Sequence, residues 1–293
     1  MIGTLIVLAI CAAIAGIGYA APSALNLLFD GLDMALGWMG PFLTVTVLSA
    51  VTGVLFILAF PHVSAQGAIV AVKDRIKHNL LGIRIFQDDM PTVGKGVVGA
   101  LFWNICYLAL NILPMAVMAA PFMYIWFQLN ALYAYQPLET GERTTIVAEF
   151  DPSVKAHEVQ VELPDGLELV QRGNTQNKVV LVVDAVAEGS HELSFASGAT
   201  TVTKSVEVAT NPRRLARLRT SEPLTKFTEA KDPIVYFGDP VLPATGPVRT
   251  ITVPYEVRPL GFLSGGEISI MLWFVVVSLA VGFGLKGVFG VEI

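Results

Sequence analysis

Few side chains in this sequence have the type and spacing to do chemistry, and those few sit in apolar surroundings. Asn104, Tyr107 and Asn111 recur at spacings of three and four, which puts them on one face of a helix, inside a stretch from Gly96 to Leu138 that holds no charged residue. Ser49 and Thr52 share a face of another apolar stretch. Polar groups inside a bilayer are costly unless they meet protein or water. These five residues therefore nominate themselves either as the wall of a hydrated groove or as hydrogen-bonding contacts between helices. A second group, Lys73, Arg75, Lys77 and Arg84, gathers between two apolar stretches, where it could meet polypeptide or anionic lipid headgroups.

Solution chemistry has less to work with. His157 and His191 stand in a polar block without a cysteine, serine or carboxylate at a diagnostic spacing, so surface or structural roles are expected of both. Gly94-Lys95-Gly96 lacks the upstream glycine of a phosphate-binding loop. Cys11 and Cys106, the two cysteines, each lie in an apolar run where packing explains them. No catalytic residue, metal site or cofactor is expected, and the reading is of a protein that is not an enzyme. The net charge of −5 argues against a nucleic-acid partner.

Hydrophobic residues make up 54% of the chain and charged residues 15%, more apolar surface than a soluble domain of 293 residues can hide. A bilayer core of about 30 Å needs roughly 20 apolar helical residues. Four stretches qualify: Ile2 to Ala21, Pro41 to Val63, one within Val97 to Tyr135, and Ile268 to Leu285. The first is expected to be a retained helix or signal anchor over residues 1–21; small residues at Gly18 to Ala21 suit a signal peptidase, but no basic residue precedes the run. Basic residues near helix ends stay on the cytoplasmic side, so Lys73 to Lys95 mark the connection between the second and third crossings as cytoplasmic. Alternation then places 136–260 outside.

Residues 22–40 read as an amphipathic helix. Asn26, Asp30 and Asp33 line one face while Leu25, Leu28, Phe29, Leu32 and Leu36 fill the other, which fits a helix lying flat on the outer membrane surface or one packed beneath the outer domain. Residues 64–96 read as a helical hairpin turned at Pro91, and 97–135 as a long helix that should kink at Pro114 and Pro121. From 136 to 260 the texture becomes short alternating strands, at Thr144–Phe150, Glu158–Leu163, Val179–Val183, His191–Phe195, Thr201–Val208 and Thr250–Val257, with an irregular excursion between Asn211 and Gly246. An immunoglobulin-like sandwich of one domain fits that length. A last helix occupies 266–288. The fold class is thus a membrane helical bundle of about four crossings with a cytoplasmic hairpin and an outer all-β domain. A basic cluster from Arg213 to Arg219 is either a docking patch or a solvated loop.

The order of these parts resembles the YidC-type membrane insertase superfamily, most nearly its short archaeal members and the insertase subunit of the ER membrane protein complex. The likeness rests on Asn111-Ile112-Leu113-Pro114-Met115, then Pro121 and Gln128-Leu129-Asn130. Arg84-Ile85-Phe86-Gln87-Asp88-Asp89 and Phe289-Gly290-Val291 are similar to segments of a group of bacterial membrane proteins. The resemblance implies a multi-pass protein of the bacterial cytoplasmic (inner) membrane with its β-domain on the periplasmic side. It implies a function in helping hydrophobic segments into the bilayer, with nascent membrane proteins, ribosome or translocon as partners beside the membrane lipids. The residues themselves leave a second reading open: a structural or scaffolding subunit of a larger membrane complex whose outer domain binds another subunit.

Overall fold

The computed structural model describes residues 2–20, 22–198, 200–209, 214–221 and 242–291. Arg213, Asn211 and most of the excursion that follows, together with Ala21, lie outside the described residues. Six α-helices are described: α1 (Ile2–Ala20), α2 (Pro22–Leu36), α3 (Pro41–Val63), α4 (Gln66–Ile85), α5 (Met90–Tyr133) and α6 (Gly266–Leu285). The chain divides into two compact units, one of Met1–Ile17, Thr46–Met123 and Trp273–Ile293, the other of Gly18–Val45 and Tyr124–Leu272.

In the first unit, small residues let helix backbones approach where lipid supplies no hydrophobic drive between them. Gly53 of α3 abuts α6 so closely that a Cβ there would stand 2.4 Å from the Ser278 carbonyl oxygen. Trp273 donates its indole N–H to Thr46 Oγ1 at 2.8 Å. Phe122 of α5 stacks on Phe274, ring centroids 4.7 Å apart, and approaches Phe56 at 6.1 Å. Gly3 of α1 lies against the His62 ring. The helices α3, α5 and α6 are long and apolar enough to cross a membrane; the described apolar run of α1, Gly3–Ile17, is shorter. Among the described residues, three of the four expected crossings meet the requirement.

The hairpin of α4 and α5 turns earlier than Pro91. Phe86 to Asp89 make the turn, with the Asp89 N–H donating to the Phe86 carbonyl at 3.1 Å and the Thr92 hydroxyl donating to the Asp89 carboxylate. Pro91 falls instead in the first turn of α5, where its missing N–H costs nothing. Gly96 and Gly99 then let α4 pack close, against Ile83 and Asn79. α5 continues as one helix through Pro114 and Pro121, the positions at which kinks were expected.

Among the described residues of the second unit, eight strands form two antiparallel sheets. β1 (Arg143–Phe150), β3 (Leu167–Thr175), β4 (Lys178–Ala185), β7 (Leu218–Thr220) and β8 (Val248–Thr252) make one in the order β3-β4-β1-β8-β7; β2 (Gln160–Glu162), β5 (Gly189–Ser197) and β6 (Thr200–Val208) make the other in the order β2-β5-β6. Alternation sends Ile146, Ala148 and Phe150 of β1 inward with Leu181 and Val183 of β4, and Phe150 meets Phe195 of the other sheet edge-on at 6.2 Å. Two strands escaped the sequence pattern. β3 is an edge strand exposed along most of its length, so it carries no alternation, and β7 is three residues long. β8 stops short of Val257 because Pro254 has no N–H to donate to a ladder.

Asp151 closes β1. Its carboxylate accepts hydrogen bonds from the Ser153 hydroxyl at 2.7 Å, from the Ser153 N–H at 3.1 Å and from Arg249, and these partners hold its pKa down to about 2 from 3.8. A depressed folded-state pKa stabilises above the unfolded value and stops doing so as pH falls through the folded one. Asp151→Asn should therefore flatten the loss of thermal stability between about pH 4 and pH 2. Melting curves across that range, identical for wild type and variant, would refute the assignment.

Candidate functional site

The five groove candidates are distributed rather than gathered. Ser49 and Thr52 are buried in the packing of α3, and the Thr52 hydroxyl donates to the Leu48 carbonyl of its own helix at 2.8 Å. Asn111 does the same on α5, donating to the Tyr107 carbonyl at 2.8 Å, while Asn104 is exposed. Asn111 precedes Phe122, the residue that meets α3 and α6, by about 16 Å along the axis at 1.5 Å per residue, and Asn104 lies further still. Among the basic residues, Arg75 stacks its guanidinium over the Trp103 ring at 4.1 Å, and Lys77 pairs with Asp74 at 3.5 Å; Arg84 is exposed near the turn and Lys73 is half-buried.

A denser polar constellation appears in the second unit, around the polar face of α2. Asn26, Asp30 and Asp33 meet the last turns of α5 and the strand-flanking residues Arg214 and Arg258. Arg214 donates to Asp30 Oδ1 at 2.6 Å through Nη2, to Gln128 Oε1 at 2.5 Å through Nη1, and to the Asn26 carbonyl at 3.3 Å. Gln128, fully buried, spends both amide hydrogens, on Asn26 Oδ1 at 2.8 Å and on the Tyr124 hydroxyl oxygen at 2.7 Å. The Tyr133 hydroxyl donates to Asp33 Oδ1 at 2.5 Å. Main-chain bonds brace the same place: Leu215 N–H to the Ala131 carbonyl at 2.8 Å, and Arg258 N–H to the Ala134 carbonyl at 3.0 Å. Burial pushes the Arg258 guanidinium below its usual pKa, and the nearby Asp33 carboxylate opposes the shift.

This network ties the polar face of α2 to residues that flank the β-strands. The opposite side stays exposed at Leu27, Leu28 and Met34, with Trp38 just beyond the helix. Arg217 sits 5.2 Å over the Tyr135 ring and Arg219 donates to the Thr203 carbonyl, so the described part of the arginine cluster is engaged within the chain. An acidic stripe on one helix and an arginine cluster far along the chain were each visible in the sequence; their pairing was not. Asn130, 5% exposed, has neither side-chain atom hydrogen-bonded. An open cleft of about 730 Å³ lies beside the network, lined by Gln136, Glu139, Thr140, Glu188 and Arg258 among others. It offers charges of both signs.

No family model matches the chain, and no curated protein matches it. Two solved structures share local similarity at 20% identity: domains 4 and 5 of the S-layer protein SbsC, with a TM-score of 0.21 over 26% of this chain and 47% of that one, and the longer S-layer piece rSbsC(31-844), with a TM-score of 0.22 over 26% and 12%. The chain thus spans less than half the length of either. Likeness this slight carries no argument about function.

Proposed function

We propose that the protein is a structural subunit of a larger membrane complex, anchored by its apolar helices in a bacterial cytoplasmic membrane, with an outer immunoglobulin-like domain that binds another subunit. It works by binding and holding rather than by catalysis. The observation that carries this reading is the fate of the groove candidates: Thr52 and Asn111 are satisfied by their own helix backbones, Ser49 is buried in packing, and Asn104 stands apart from them. The arginine network supports it further, because Arg214 joins Asp30 and Asn26 of α2 to the β-domain, Tyr133 joins Asp33 to the end of α5, and two main-chain bonds tie the end of α5 to the same domain. Positive residues on the α4–α5 hairpin support a cytoplasmic hairpin and an outer β-domain.

The element order favours a second reading, a YidC-like insertase whose polar residues guide hydrophobic segments. The two readings part on one experiment. A photocrosslinker at Asn111 or Ser49 is presented with a short single-span nascent protein, and insertion yield is compared between wild type and Asn104→Leu/Asn111→Leu. Unchanged insertion and no crosslink are expected. Crosslinks together with lost insertion in the double variant would overturn the structural reading in favour of the insertase.

A further inference from the structure

The hairpin arm carries an uncovered seam. On α5, Val98, Leu101, Ile105, Leu108, Ile112 and Met115 are each 59–67% exposed. Their spacing is 3-4-3-4-3, the a/d pattern of a coiled coil, with β-branched residues at every a position (Val98, Ile105, Ile112) and unbranched-at-Cβ residues at every d position (Leu101, Leu108, Met115). That allocation favours two parallel strands. The opposite face of the helix is already occupied: Gly96, Gly99 and Trp103, at the outer b and f positions, hold α4.

Lipid does not account for most of this seam. α3 ends seven residues beyond Phe56 and α6 eleven beyond Phe274, the two rings that meet Phe122, so both helices end opposite roughly the Asn111–Met115 turn of α5. Val98 to Leu108 lie past that point, level with α4. There the Arg75 guanidinium stacks at Trp103 and the exposed Asp74–Lys77 pair stands nearby. Charged side chains are expensive in hydrocarbon, so this level is aqueous. A continuous apolar stripe in water marks a protein contact. Copies in one membrane share one orientation, so the same helix from two copies runs parallel, as the a/d residues require, and the contact closes as a two-fold.

We infer that the chain forms a parallel homodimer through the Val98–Met115 seam of α5. Asn104, exposed and adjacent to the a position Ile105, gives the seam a polar edge.

Single cysteines test the inference in membranes of cells making the full chain, in a Cys11→Ser/Cys106→Ser background. Oxidation should yield disulfide dimers from Leu101→Cys, Ile105→Cys and Leu108→Cys at least about fivefold above Ala100→Cys, at a c position, and above the Cys11→Ser chain that keeps Cys106, at a b position. Equal yields at seam and control positions, no dimer at any position, or crosslinks joining a different protein would overturn it. In mild detergent the wild-type particle should hold two chains, and Ile105→Asn/Leu108→Asn one; a wild-type particle of one chain at all concentrations would equally overturn it.

Discussion

Arg214→Ala should destabilise the β-bearing unit by about 2–3 kcal/mol and loosen α2 to proteolysis, because one side chain joins three elements. The Arg214 side chain is 11% exposed, whereas Asp30 is 48% exposed. Water can therefore replace the guanidinium at Asp30, and that exposed ion pair contributes little by itself. The larger loss falls at Gln128, which is fully buried and would keep Oε1 without its donor at 2.5 Å. Arg214→Lys should recover only part, since an ammonium lacks the planar fork that serves Asp30 and Gln128 together. Gln128→Leu removes the buried acceptor, so adding Arg214→Ala to it should cost less than Arg214→Ala alone. Thermal unfolding and limited proteolysis within residues 22–40 would read all four variants. Additive losses, with α2 no more cleavable than in wild type, would mean that the network does not hold the helix.

The same network explains where the sequence was legible and where it was not. Helices α3, α5 and α6 announce themselves because membrane crossing demands long apolar runs, a constraint written residue by residue. Strands β1, β4 and β6 are legible because one face packs against a core and period-two burial leaves its mark in composition. β3 is not, because an edge strand exposed along most of its length imposes no alternation. The turn of the hairpin was misplaced at Pro91 since proline suits both a turn and a first helical turn; the Asp89 carboxylate receiving the Thr92 hydroxyl settles which. The groove candidates were chosen by helical face alone. Face is a property of one helix, whereas a groove depends on how far along their axes neighbouring helices meet, and that offset is set by Gly53 against Ser278 and by the Phe56, Phe122 and Phe274 rings. Arg214 and Asp30 show the same limit: charge complementarity was present in the sequence, but 184 positions separate the partners.

Gly265→Ala should be the most damaging small substitution, because it acts on the turn that leads from the β-domain into α6. Gly265 has a φ of +86°, a left-handed conformation that costs an L-residue about 1–2 kcal/mol. Strain is the lesser part. A Cβ at this position would stand 1.8 Å from the Arg258 carbonyl oxygen and 3.0 Å from Pro259 Cα, both backbone atoms that cannot rotate away. Relief requires moving Arg258, whose N–H donates to Ala134 at 3.0 Å, and displacing the Leu260–Leu263 turn closed by bonds of 3.2 and 2.9 Å. A total loss above about 4 kcal/mol follows, read as failure of the full-length protein to accumulate in the membrane. Gly198→Ala supplies the control: φ there is +60° with nothing within 4 Å of a Cβ, so it carries the strain without the collision and should cost only about 1–2 kcal/mol. Equal effects from the two substitutions would show that backbone conformation alone, and not the close approach to Arg258, sets the requirement for glycine.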